Sequence, residues 1–115
     1  KNLEYIVFSE DFNQDSIINL PEGLTQILFG DQFDQRIDYI LPSTIKKIKF
    51  GMAFNKSVDG LPPNVEEILF GWDFNQLLNN LPSSVKYIEL KSTYKGDVKS
   101  IENRMKIMYS DDPFV

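Results

Sequence analysis

Apolar residues in this chain return in a fixed order about every 20 positions, and that long period decides the fold class before any local pattern does. Leu-Pro occurs at Leu20, Leu41, Leu61 and Leu81, spaced 21, 20 and 20 residues apart. Aligned on this dipeptide, the chain follows the template L-P-x-x-[LIV]-x-x-I-x-F-G-x-x-F-[ND]. One column holds Leu24, Ile45, Val65 and Val85; the next holds Ile6, Ile27, Ile48, Ile68 and Ile88; the next Phe8, Phe29, Phe50, Phe70 and Leu90. A fourth column, Phe12, Phe33, Phe54, Phe74 and Tyr94, is aromatic throughout, and a fifth, Ile17, Ile37, Val58, Leu78 and Val98, is aliphatic.

Within "QILF", "KIKF" and "EILF" inward residues alternate with variable ones, the period of two expected of a strand with one buried face. A repeat of about 20 residues cannot hold a long helix as well as a strand and two turns. Each Pro also removes a backbone donor and keeps the preceding Leu extended. The return path is therefore extended or a single 3-10 turn. Successive strands become parallel neighbours in one sheet, and each coil buries its apolar face only by stacking on the next. The predicted coils run at about 1–19, 20–40, 41–60, 61–80 and 81–100, with 101–115 as a C-terminal cap. In that cap "MKIMY", Met105 to Tyr109, predicts a sixth strand one residue out of register with the template, before the polar stop "SDDPFV". The first strand has no equivalent, so either a preceding domain is expected to cover that edge or the chain is a fragment, and an open edge of this kind invites edge-to-edge self-association.

The stretch "LFGWDFNQ", Leu69 to Gln76, is one corner of a coil. Phe70 ends the strand facing inward, Gly71 is expected to give the corner its free backbone, and Phe74 to stack on Phe54 and Tyr94. Asn13, Asn55 and Asn75, with Asp34 in the same column, are expected to bond backbone groups of adjoining coils. These residues and the column from Phe12 to Tyr94 are structural.

The repeated pattern, written most fully as "LPPNVEEILFGWDFNQLLNN", resembles the FNIP repeat, a short leucine-rich-repeat type abundant in social amoebae and in giant viruses that infect amoebae. The resemblance covers about Asn2 to Val98. It implies a mainly β, right-handed, leucine-rich-repeat-like solenoid with one parallel sheet of about five to six short strands. It also implies a role in protein-protein interaction, often beside an F-box that recruits a ubiquitin ligase. No F-box is visible in this sequence. The pattern is broken by Ser9 and Lys91 in place of Gly, by Asp34 and Lys95 in place of Asn, and by Ile101-Glu102 in place of Leu-Pro.

Composition narrows the function. A net charge of -5 and a pI near 4.6 argue against a nucleic-acid or anionic-membrane partner, because phosphate binding needs clustered Lys and Arg. The absence of His and Cys excludes His-based acid-base catalysis, Ser-His nucleophiles and ordinary zinc sites. Asp31, Asp34 and Asp38 surround one corner and are the residue type for Ca²⁺; a solvated loop face is the expectation, and no cofactor or metal is predicted. No apolar run approaches a bilayer span, and "KNLEYIVF" carries no signal-peptide pattern. The Asn55-Lys56-Ser57 acceptor lies where a glycan would break the asparagine ladder, which favours a cytoplasmic location.

Function is expected in the variable columns. Outward strand positions form two rows, Tyr5, Gln26, Lys47, Glu67, Tyr87 and Val7, Leu28, Lys49, Leu69, Glu89. Past the corner, a third row reads Glu10, Asp31, Met52, Trp72, Ser92. Val7, Leu28, Lys49, Met52, Leu69, Trp72 and Tyr87 are the candidate partner-binding residues, since exposed aromatics and Met resemble the anchors of interfaces; the alternative is that Trp72 folds over its own loop and the leucines are ordinary scattered surface residues. Lys47 and Glu67 fall in adjacent coils as a candidate surface ion pair. Three classes follow. The favoured one is a non-catalytic interaction scaffold, in the form of the substrate-recognition part of an F-box ligase if the resemblance extends that far. The second is a structural or self-assembling virion or matrix protein. The third is a carbohydrate-active β-solenoid enzyme, whose facing acids are represented only by Glu67 and Glu89.

Overall fold

The computed structural model describes residues 4–14 and 20–111. Among them are six strands and no helix: β1 (Tyr5–Val7), β2 (Gln26–Leu28), β3 (Lys47–Lys49), β4 (Glu67–Leu69), β5 (Tyr87–Leu90) and β6 (Lys106–Tyr109). They form one parallel sheet in the order β1-β2-β3-β4-β5-β6. Each strand therefore lies beside its sequence neighbours, the topology of a solenoid. The register pairs Ile6, Ile27, Ile48, Ile68, Ile88 and Ile107 in one row. The final coil is one residue short, yet its strand pairs in step with β5, and Met105 lies buried just before it. The fifth-column position Ile17 lies outside the described residues.

The template is explained by one turn at each corner. The peptide N–H of the aromatic residue donates to the carbonyl three residues earlier: Phe12 to Ser9 (3.1 Å), Phe33 to Gly30 (3.4 Å), Phe74 to Gly71 (3.4 Å) and Tyr94 to Lys91 (3.0 Å). A second turn follows each Leu-Pro, with Leu24 donating to Pro21, Ile45 to Pro42 and Val85 to Pro82. These turns let the chain reverse within about 20 residues without a helix.

Rings fill the corner side of the interior. Phe29, Phe50 and Phe70 each stack on the second ring of their own coil, with centroids 4.1, 3.9 and 3.9 Å apart. Both columns also stack between coils, as in Phe50–Phe70 at 5.6 Å and Phe54–Phe74 at 6.1 Å. The interior is thus a double ladder of nearly parallel rings. Burying each Phe removes roughly 150–250 Å² from water, so these columns dominate the core.

Gly71 does not serve the corner through conformational freedom. Of the glycines, only Gly23 (φ 90°) and Gly60 (φ 80°) lie in the left-handed region. The reason for glycine at the corner is space. A Cβ on Gly51 or Gly71 would collide with the carbonyl oxygen of Gly30 or Gly51, one coil earlier. The coils approach each other through bare backbone there.

Candidate interaction groove

Two backbone ladders set the site. At the strand ends Phe8 donates to Leu28, Phe29 to Lys49, Phe50 to Leu69 and Phe70 to Glu89, all at 2.8–2.9 Å. Past the corners Gln32 donates to Glu10, Ala53 to Asp31 and Asp73 to Met52, at 2.9–3.0 Å. The two side-chain rows flanking the glycines are therefore held in parallel and repeat at about 4.8 Å per coil. Between them runs a groove of about 340 Å³, with Val7, Leu28, Lys49 and Leu69 on the strand side and Glu10, Asp31, Met52 and Trp72 on the corner side.

The structure brings together six of the seven predicted partner-binding residues, Val7, Leu28, Lys49, Met52, Leu69 and Trp72, around this groove. Val7 is 62% exposed and Met52 49%, while Leu28, Leu69 and Trp72 are half-buried. Tyr87 is not among the lining residues. It lies on the other row, where its hydroxyl donates to the Glu89 carboxylate at 3.1 Å. Burial, and then that bond to an acid, raises the Tyr87 pKa.

The β5 end of the groove is closed by two charges outside the candidate partner-binding set, Glu89 and Lys91. Both are buried, at 2% and 7% exposure. Lys91 replaces the corner glycine and carries its ammonium over the Trp72 ring, 5.7 Å from the centroid, within cation-π range. The break in the Gly column was the sequence signal for this feature. The Asp111 carboxylate accepts from the Ser92 N–H (3.0 Å) and hydroxyl (2.8 Å). Those two bonds, with a smaller contribution from Lys91, lower its pKa.

Beside the groove runs the ladder of the Phe-Asn column. The side-chain oxygen of Asn13 accepts from the N–H of Asp34, Asp34 from Asn55, Asn55 from Asn75, and Asn75 from Lys95, at 2.7–3.0 Å. The Tyr94 hydroxyl turns back to donate to the Gln76 carbonyl at 2.8 Å, and burial raises its pKa. The acids of the nearby corner are engaged separately: Asp31 accepts from the Met52 N–H, Asp34 faces Lys56, and Asp38 pairs with Arg36. Among the described residues no group of three acids gathers in metal-binding geometry. The cross-coil ion pair also differs from expectation. It forms one residue earlier, between Lys46 and Glu66 at 3.7 Å, where both side chains leave the strand start on the same side.

A single-layer parallel sheet of stacked short coils with a groove along the corners defines a leucine-rich-repeat-like solenoid. The FNIP repeat pattern matches residues 12–53 and 54–93, and the chain belongs to the FNIP repeat family. Among solved structures it is similar to CroV588, described as a novel circular LRR protein structure. The two are 27% identical with a TM-score of 0.67, over 90% of this chain and 20% of that one. This chain thus spans about a fifth of that protein's length. No curated protein matches it. Among the described residues no helix is long and apolar enough to cross a membrane.

Proposed function

We propose that this chain is a non-catalytic protein-interaction module that holds its partner in the corner groove. The observation that supports this is the contrast between rows. Packing accounts for Ile48, Ile68, Phe50 and Phe70, which are buried, but it requires nothing apolar at Leu28, Leu69, Met52 and Trp72, which line an open groove. The F-box ligase role implied by the family resemblance would make this groove the surface that receives the substrate. The direct test is Trp72→Ala combined with Leu69→Ser. This variant keeps its melting temperature within a few degrees, since surface changes usually lie within about ±0.5 kcal/mol. It loses partner binding, because aromatic anchors often carry about 2 kcal/mol or more. Glu4→Gln is the control. A large fall in melting temperature with partner binding retained would assign Trp72 to the core and overturn the proposal.

A second reading, a self-assembling repeat protein, is favoured by β1. Among the described residues it is paired on one side only, and Tyr5 and Val7 are 58% and 62% exposed. Mass measured by light scattering across a concentration series separates the two readings, because only self-assembly makes it rise.

A further inference from the structure

The groove is not electrically uniform. At its β5 end the lining holds one cation, Lys91, buried against Trp72, and one acid, Glu89, while Asp111, whose carboxylate Lys91 also influences, lies outside the lining. At the other end the corner row carries Glu10 and Asp31, both exposed, and no Lys or Arg lies within ion-pair distance of either among the described residues. Asp11, beside Glu10, accepts only an amide hydrogen bond from Gln32 at 3.4 Å. Between the two ends the lining is mostly apolar, with Lys49 on the strand wall.

We propose that the groove takes a segment of a partner protein in which large apolar side chains are followed by a Lys or Arg. The apolar groups lie over Leu69, Met52 and Trp72, and the cation lies over Glu10 and Asp31. This rests on the reading of the groove as the interaction surface and adds the chemistry and polarity of its occupant. The distance is informative as well. Trp72 and Glu10 stand three coils apart, about 14 Å at 4.8 Å per coil. That separation is spanned by about four to five residues of extended chain or about nine to ten of helix. An opposite charge at such a site, in place of a purely apolar ligand, contributes mainly orientation and association rate.

The test uses the whole chain as bait for a random 12-residue peptide library displayed on phage, followed by synthesis of the enriched peptides. The expected motif has two or three large apolar positions and a Lys or Arg on one side, four to five or nine to ten residues from the far apolar one. Glu10→Gln with Asp31→Asn keeps the Asp31 hydrogen-bond acceptor. It weakens the selected peptides about three- to tenfold and flattens their salt dependence. Glu22→Gln with Glu102→Gln, the same charge change at other exposed positions, does not. Enriched peptides that lack a basic position, or that tolerate the Glu10/Asp31 variant but are lost in Trp72→Ala/Leu69→Ser, overturn the polarity while leaving the groove in place. Enriched peptides indifferent to Trp72→Ala/Leu69→Ser, or no enrichment over that variant as bait, overturn the groove itself.

Discussion

Asn75 donates its backbone N–H to the side-chain oxygen of Asn55, 2.9 Å away and one coil earlier. The same oxygen accepts from Gln76 Nε2 at 3.0 Å, so one amide group ties two residues of the next coil. Asn55→Ala leaves both donors without that partner and is expected to cost about 1–2 kcal/mol. Asn55→Asp keeps the acceptor, as Asp34 does in the coil before, and should stay within about 0.5 kcal/mol of the parent. Urea midpoints of the two variants check this, and equal losses would show that the ladder oxygen is not what stabilises the corner.

The aromatic ladder predicts a gradient along the solenoid. Phe54 is fully buried between Phe33 and Phe74 and stacked on Phe50, so Phe54→Ala should cost roughly 3–5 kcal/mol. Phe12, half-buried in the first coil, stacks on Phe8 and Phe33 and should cost less. Denaturant unfolding of both variants gives the comparison, and indistinguishable midpoints would mean that burial does not set the loss.

Much of this architecture was legible because a repeat states its core several times. The Ile and first Phe columns, the Leu-Pro turn and the corner each recur, and the in-register row from Ile6 to Ile88 follows from the alignment alone. What could not be read was how closely the coils approach. Gly71 in sequence suggests a corner that needs free backbone, and only three dimensions show that it answers a steric limit set by the Gly51 carbonyl. For the same reason the sequence indicated which residues alternate outward but not that the glycine contact sets two rows on either side of a groove. The burial of Glu89 and Lys91 at the β5 end of that groove was not read, because charged residues are ordinarily assigned to the surface.

The two kinds of glycine predict different losses. Gly23→Ala meets no atom within 4 Å but must hold a left-handed φ of 90°, a cost of about 1–2 kcal/mol. Gly71→Ala has an ordinary φ and forces its methyl onto the Gly51 carbonyl, so the coils must separate. Overpacking of this kind costs about 1–3 kcal/mol and also breaks stacking nearby, so Gly71→Ala is expected to be the worse variant. A thermal melt in the reverse order would contradict the steric reading.

The final coil should loosen in acid. The Asp111 carboxyl titrates below its ordinary 3.8 because the Ser92 N–H and hydroxyl hold its charged form. A depressed folded pKa means that this contact supports the fold fully above the ordinary carboxylate value, and that the support is lost as pH falls through the lowered one. Amide exchange at Ser92 should therefore accelerate only in strong acid, and Ser92→Ala should move the Asp111 titration upward. Exchange at Ser92 unchanged down to full protonation of Asp111 would show that the contact anchors nothing.

Trp72 is the only tryptophan in the chain and it lines the groove, so its fluorescence reports occupancy of the site directly. The decisive measurement is acrylamide quenching of Trp72, with and without a tryptophan-free peptide selected on the whole chain. If the groove is the interaction surface, bound peptide covers the ring, shifts its emission to shorter wavelength and lowers the quenching constant in proportion to saturation. Saturating binding that leaves both the emission and the quenching of Trp72 unchanged would place the interaction elsewhere on the solenoid.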